Sequence, residues 1–268
     1  MPEPTLSISN NELEADVGWF LGLGRGANYS ETAWSSRNQL SITKAVKSGL
    51  RMFYFPMVLP GDVAAYSWSF IRPMREVTLV EGASSVDLPD DCGGIEGDVM
   101  FVDSGRMICA AVVTNEQRVA RMYADYPDVS GQPQFCAVRI PSTTSLNKGQ
   151  RSNLYVYPAA DEDYTLQFQM YLNPDALSAS FPYALGGTTH IETIRAACLA
   201  AAERDINNVQ QGPQYQHFIE RMRASVSLDR RNKAQTFGVN TDKGYNRPKY
   251  YDRSNIRVPV TFDGVEPG

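Results

Sequence analysis

The residues that could carry covalent chemistry are few and scattered. His190 and His217 are the two histidines of the chain. Neither sits in a G-x-S-x-G nucleophile elbow or an H-E-x-x-H zinc motif, and no short Ser/His/Asp arrangement surrounds them. Both read as surface or packing histidines. Cys92, Cys109, Cys136 and Cys198 are far apart, without the close thiolate and imidazole spacing of a structural zinc site. They read as small apolar residues of a reduced chain. Asp161-Glu162-Asp163 offers three carboxylates where a calcium loop needs about six oxygen ligands at set positions, so it reads as a solvated turn. Gly22-Leu23-Gly24-Arg25-Gly26 has the composition of a phosphate loop, but a helical pattern precedes it where a nucleotide fingerprint needs a strand. An interhelical turn is the simpler assignment. Paired carboxylates of the glycosidase kind meet only in three dimensions, and the sequence points to none. No cofactor or metal is expected.

Charge and aromatic rings give the strongest signal, near the C-terminal end. The chain has 25 Lys+Arg, 30 Asp+Glu and a net charge of −5. Residues 218–257 hold ten Lys/Arg against four Asp/Glu, a net of +6, which leaves −11 for the rest. The acidic balance argues against a global DNA-binding surface. In the basic stretch, cations interleave with Phe237, Tyr245, Tyr250 and Tyr251. Such a segment could bind single-stranded nucleic acid, cations tracking phosphates and rings stacking on bases. It could lie as an extended arm on an acidic partner, adding a strand through Arg257–Phe262. It could also be a solvated end. As an arm, its partner interface comprises Arg230, Arg231, Lys233, Lys243, Arg247, Lys249, Tyr250, Tyr251, Arg253, Arg257, Val258, Val260 and Phe262. Trp19, Trp34 and Trp68 are candidate interface anchors or core residues.

The elements that must position these groups are readable from periodicity. Ser9 and Glu12 form a capping box before Leu13, Val17, Phe20 and Leu21 at helical spacing. A second helix is predicted over 35–53, stopped by Pro56 and Pro60. Short β-branched runs follow at 77–80, 86–88, 99–102, 107–113 and 135–140, with a short helix between them capped by Thr114 and Gln117 and ending near Tyr126. Tyr164–Leu172 alternates with period two, and Leu154–Tyr157 before it predicts a hairpin. Thr189 and Glu192 suggest a capping box for a helix with Ile191, Ile194, Cys198, Leu199, Ala202 and Ile206 on one stripe. After Gly212-Pro213 a last helix carries Phe218, Ile219, Met222 and Val226. Beyond Leu228 the periodicity fades. The predicted fold is α+β: a helix bundle from the N- and C-terminal helix pairs, a β-rich insert and an extended C-terminal tail. Its boundaries are 1–60, 61–183, 184–230 and 231–268. No apolar run approaches the length of a membrane span, and the polar opening, MPEPTLSISNNELEAD, lacks the basic and apolar regions of a secretory signal.

Several segments, taken in order, resemble the head-to-tail adaptor, or connector, proteins of tailed bacteriophages. They are Val17-Gly-Trp19-Phe-Leu-Gly22, Ser48-Gly49-Leu50-Arg51-Met-Phe53-Tyr54-Phe55-Pro56, Trp68-Ser-Phe70 before a strand, and Leu88-Pro89-Asp90. Leu154-Tyr-Val-Tyr-Pro158-Ala-Ala-Asp161 leading into Tyr164-Thr-Leu166, Leu185-Gly186-Gly187 before the Ala-rich helix, Phe218-Ile-Glu220-Arg221-Met222 and Asp229-Arg230-Arg231 continue the series. The resemblance covers residues 13–240. It implies a structural virion protein without catalytic or metal residues, forming a ring homo-oligomer, a dodecamer. The ring would join the portal protein to a tail or nozzle protein at the portal–tail junction, after assembly in the host cytoplasm. The genomic DNA would pass through its lumen without sequence-specific binding, and no membrane is involved. An acidic wall suits such a channel, since it does not trap phosphates by counterion release. The rival assignments are a tail-associated cell-wall hydrolase and a single-strand nucleic-acid-binding protein.

Overall fold

Ser9 sets where the first helix begins. Glu12 Oε2 accepts from the Ser9 amide at 2.7 Å, and Ser9 Oγ accepts from the Glu12 amide at 3.4 Å. This reciprocal cap opens α1, Asn10–Phe20. The computed structural model describes residues 4–59, 64–102, 110–140 and 151–232. After α1 the chain reverses through Gly22, Gly24 and Gly26, all at positive φ, where only glycine avoids a Cβ clash. Trp34 fastens the reversal by donating from Nε1 to the carbonyls of Leu23 at 3.1 Å and Gly24 at 3.2 Å. Ser35 caps α2, Ser36–Tyr54, by accepting from the Asn38 amide. Near the other end of the described chain lie α4, Ile191–Asn207, and α5, Pro213–Asn232.

These four helices share one apolar cluster. Leu13 and Val17 of α1, Ile42, Val46, Leu50 and Phe53 of α2, Ile194 and Cys198 of α4, and Phe218, Met222 and Val226 of α5 meet there around Trp68. Helices α2 and α4 approach most closely at Gly49. A Cβ on Gly49 would lie 2.6 Å from the Cys198 nitrogen and 2.8 Å from the Ala197 carbonyl carbon. The alanines of α4 (Ala196, Ala197, Ala200, Ala201, Ala202) are buried on the same account. Small side chains let the two backbones come into contact, which larger ones would hold apart.

The second cluster is a seven-stranded sheet. Its strands are β1, Met74–Leu79; β2, Ser85–Asp87; β3, Cys92–Phe101; β4, Ala110–Val113; β5, Phe135–Arg139; β6, Asn153–Tyr157; and β7, Tyr164–Leu172. They hydrogen-bond in the order β1-β7-β3-β4-β5-β6-β2. All pairings are antiparallel except β4 with β5, where Val112 lies opposite Phe135. The two edge strands, β1 and β2, are neighbours in sequence, so the sheet curls until its edges come close, a near-barrel. Leu79, Val99, Leu154, Val156, Leu166, Phe168 and Met170 fill it. Helix α3, Glu116–Asp125, lies on β5 and β6, with the Tyr123 hydroxyl donating to the Val156 carbonyl at 2.7 Å. The fold is therefore α+β, with five helices and this sheet among the described residues.

Three expectations are corrected. Strands β6 and β7 do not form a hairpin: β6 pairs with β5 and β2, and β7 with β1 and β3. The backbone between them is taken by the β1–β2 turn, where Gly82 N donates to Ala160 O at 2.7 Å and Ala160 N to Ala83 O at 3.1 Å. The cap of α3 is Asn115 rather than Thr114, its side chain accepting from the Arg118 amide at 2.8 Å. Thr189 and Glu192 form no capping box, because a 3-10 turn over Thr188–His190 leads into α4 instead. Helix α5 runs to Asn232, beyond the point where the apolar periodicity fades, with Asp229 buried. The predicted strand over 107–113 is described from Ala110. By contacts the chain divides into Met1–Lys233 and Ala234–Gly268, and the second unit lies outside the described residues.

Candidate functional site

The last turn of α5 is held in place by one acid. Asp229, 2% exposed, accepts from the Tyr66 hydroxyl at 2.7 Å, from the Ser69 amide at 3.0 Å and from the Ser69 hydroxyl. Arg230 places its guanidinium 5.4 Å from the centre of the Tyr66 ring, within cation–π range. Burial and the Asp229 carboxylate both push the Tyr66 phenol up, so it remains a donor. Trp68 stands between the two residues that Asp229 grips. Its ring is fully buried, and its Nε1 donates to the Phe53 carbonyl at 2.8 Å. The segment Tyr66–Ser69 is thus clamped between α2 and α5.

At the opposite end of α5 the surface is concave and apolar. Met52, Phe55, Met57, Val58, Tyr215, Phe218, Ile219 and Met222 line a groove of about 610 Å³, with Arg204, Glu220 and Arg223 at its rim. Glu203 shapes this end: its carboxylate accepts from the Gln214 amide at 3.1 Å and the Tyr215 amide at 3.3 Å, capping α5 from α4. A groove with this lining can hold an apolar segment of a partner.

Among the described residues, most of the groups that could have done covalent chemistry have structural employment. His190 is 3% exposed, packed among Phe53, Trp68 and Phe70, and its Nδ1 has no hydrogen-bond partner among the described residues. His217 is exposed on α5. Burial pushes the Cys136 and Cys198 thiols up to about 12, far from the thiolate that a nucleophile requires. Asp161 accepts from the Tyr164 hydroxyl at 2.5 Å and Asp163 from the Glu81 amide at 2.8 Å. In the glycine turn, Glu31 accepts from the Arg25 amide and lies against Gly24. The chain's own carboxylate thus occupies the place where a phosphate would have to sit. Among the described residues no group of three His, Cys, Asp or Glu is arranged to hold a metal ion.

A pH dependence follows from His190. Burial lowers its pKa, against an opposing pull from Asp229. The folded chain keeps the imidazole neutral where the unfolded chain protonates it, so stability falls as pH drops below about 6.5. The slope is at most about 1.4 kcal/mol per pH unit. Urea titrations between pH 5 and pH 8 should show this fall in the parent protein and a shallower one in His190→Gln. Equal slopes in the two proteins would mean that His190 does not titrate differently on folding.

A family model described as the SU10 adaptor protein matches residues 61–242, which takes in the whole sheet and helices α3, α4 and α5. The chain belongs to the SU10 adaptor protein family. This is a family of structural phage proteins, components of the virion that associate with other virion proteins. A comparison with curated proteins finds no match. No described helix is long and apolar enough to cross a membrane. The match takes in Asp229, Arg230, Arg231 and Lys233 and stops short of Lys243.

Of the predicted partner interface, Arg230 and Arg231 are described, exposed in the last turn of α5. Lys233, Lys243, Arg247, Lys249, Tyr250, Tyr251, Arg253, Arg257, Val258, Val260 and Phe262 lie outside the described residues. Two features were missed. Asp229 falls one turn beyond Val226 and two beyond Met222 on the buried face, so the helical period is its signal. The groove was announced by the apolar run Phe53–Leu59, which continues past the helix end. Of the tryptophans, Trp68 is core, Trp34 is partly buried on the glycine turn, and Trp19 is exposed with Arg25 over its ring at 5.3 Å.

Proposed function

We propose that this member of the family is a head-to-tail adaptor, assembled as a ring, a dodecamer, between the portal and the tail or nozzle protein. Its N- and C-terminal helix pairs act as a bundle that forms the ring body. The region 61–183 is the insert, and residues 231–268 are the arm that reaches a partner. The genome passes through the lumen, and the ring does this work without catalysis. Family membership carries the phage assignment. The observation that supports the arm is the Asp229 clamp, which anchors the last turn of α5, where Arg230 and Arg231 stand. A cationic, aromatic segment launched from a fixed point is worth more to a partner than one hung on a fraying helix, because less chain has to be ordered on docking.

The test compares the full chain with one ending at Phe237, each mixed with a cognate portal ring. Circular dichroism reports folding and electron microscopy reports docking. The shortened chain should stay folded and lose most of its docking. Full occupancy and unchanged salt resistance in the shortened chain would move the interface from the arm to the helices.

A further inference from the structure

Helix α2 has no acidic residue and four basic ones. Arg37, Lys44, Lys47 and Arg51 are all exposed. Together with Leu40 they recur at intervals of three and four, so they line one ridge along about 21 Å of helix. None of the four cations has an ion-pair partner among the described residues. Leu40, between Arg37 and Lys44 on this ridge, is 71% exposed. Beside it is a shallow depression of about 440 Å³, and the one carboxylate bordering it, Asp205, is already taken by Arg204 at 2.8 Å. In a chain of net charge −5, an unpaired cationic ridge around a bare leucine is a surface without its complement.

A complement exists elsewhere on the same unit. Asp125, the last residue of α3, is followed by a loop that carries Tyr126, Asp128 and Val129. Tyr126 is 65% and Val129 42% exposed, and neither aspartate has an ion-pair partner among the described residues. Its backbone is tied down: Tyr126 N donates to Met122 O at 2.9 Å, and Val129 O accepts from Ala159 N at 3.3 Å. A tethered segment that displays two apolar side chains alternating with two carboxylates is pre-organised for docking.

We infer that the α2 ridge of one copy receives the 125–129 segment of a second copy, Tyr126 and Val129 covering Leu40 while Asp125 and Asp128 face Lys44 and Lys47. The two surfaces are unlike and both stand exposed on one molecule, so their pairing is heterologous and generates a ring where the rotation closes. Duplex DNA fits the ridge less well, because a phosphate backbone brings nothing apolar to cover Leu40. The inference rests on the ring proposed above and assigns its lateral contact.

The test uses two full-length variants, Lys44→Glu/Lys47→Glu and Asp125→Lys/Asp128→Lys, with the parent protein. Assembly, alone and on a portal ring, is followed by sedimentation and electron microscopy, and circular dichroism confirms folding. Each variant alone should need a concentration about 100-fold or more higher to assemble, from like-charge juxtaposition. An equimolar mixture of the two should assemble again, since each then offers the charge the other lacks. Rings formed by either variant alone, or a mixture that stays dispersed while the parent assembles, would overturn the contact and leave the ring standing. A ridge variant that assembles normally but no longer retains a short duplex DNA would make the ridge a DNA contact instead. A parent protein that forms no ring under either condition would remove the ring itself, and that outcome is read before any variant is measured.

Discussion

Replacing Gly49 by valine should lower the unfolding free energy by about 3 kcal/mol or more. The Cβ would have to occupy space 2.6 Å from the Cys198 nitrogen and 2.8 Å from the Ala197 carbonyl carbon. Both are backbone atoms in the middle of α4, so neither can swing aside as a side chain would. Helices α2 and α4 would have to separate, opening gaps around Ile42, Val46, Ile194 and Cys198 in the shared cluster. For a unit of this size the melting temperature should fall by about 6–12 °C. Gly49→Ala is the sharper control. Helix propensity alone would make alanine the more stable residue by about 1 kcal/mol, so a loss on this substitution isolates the steric term. A gain would show that the two helices have room to spare.

Asp229→Ala should cost about 2–4 kcal/mol. It strips the acceptor from the Tyr66 hydroxyl and from both donors of Ser69 at once. Asp229→Asn, which keeps one carbonyl oxygen and the shape, should cost distinctly less. The effect should also be local. The end of α5 loses its anchor, and the environment of Trp68 loosens, since the indole is held between the gripped residues. Chemical denaturation gives the total, and tryptophan fluorescence together with proteolysis near Arg230 and Arg231 gives the place. If Asp229→Ala melts with the parent and is cut no faster, the clamp contributes nothing and the last turn of α5 is not anchored by it.

The helical frame was legible wherever the signal is local. Ser9 and Glu12 announce α1 because both halves of the cap lie within one turn. Tyr164–Leu172 announces β7 to the residue because one of its faces is buried along its length. What stayed hidden depends on partners distant in the chain. Alternation shows that β6 and β7 are strands but carries nothing about which strands they pair with. The Asp229 clamp joins residues 160 and 163 positions apart; the helical period puts the acid on the buried face, but nothing local names Tyr66 and Ser69 as its partners. The ridge of α2 was readable as a period, yet its lack of partners becomes visible only when the neighbouring surfaces are in place.

The shared apolar cluster joins the first 71 residues to residues 194–226, and this sets a timetable for synthesis. Helices α1 and α2 leave the ribosome with Leu13, Val17, Ile42, Val46 and Phe53 uncovered. Their covering residues on α5 follow only after the whole sheet has been made. At about 5–20 residues per second, the wait from Tyr54 to Val226 is roughly 10–30 s. Strand β1 waits in the same way for β7, some ninety positions later. The nascent chain therefore carries an open hydrophobic face for most of its translation. A ribosome that stalls within the sheet should release a product that aggregates, whereas one that reaches Asn232 releases a chain able to close.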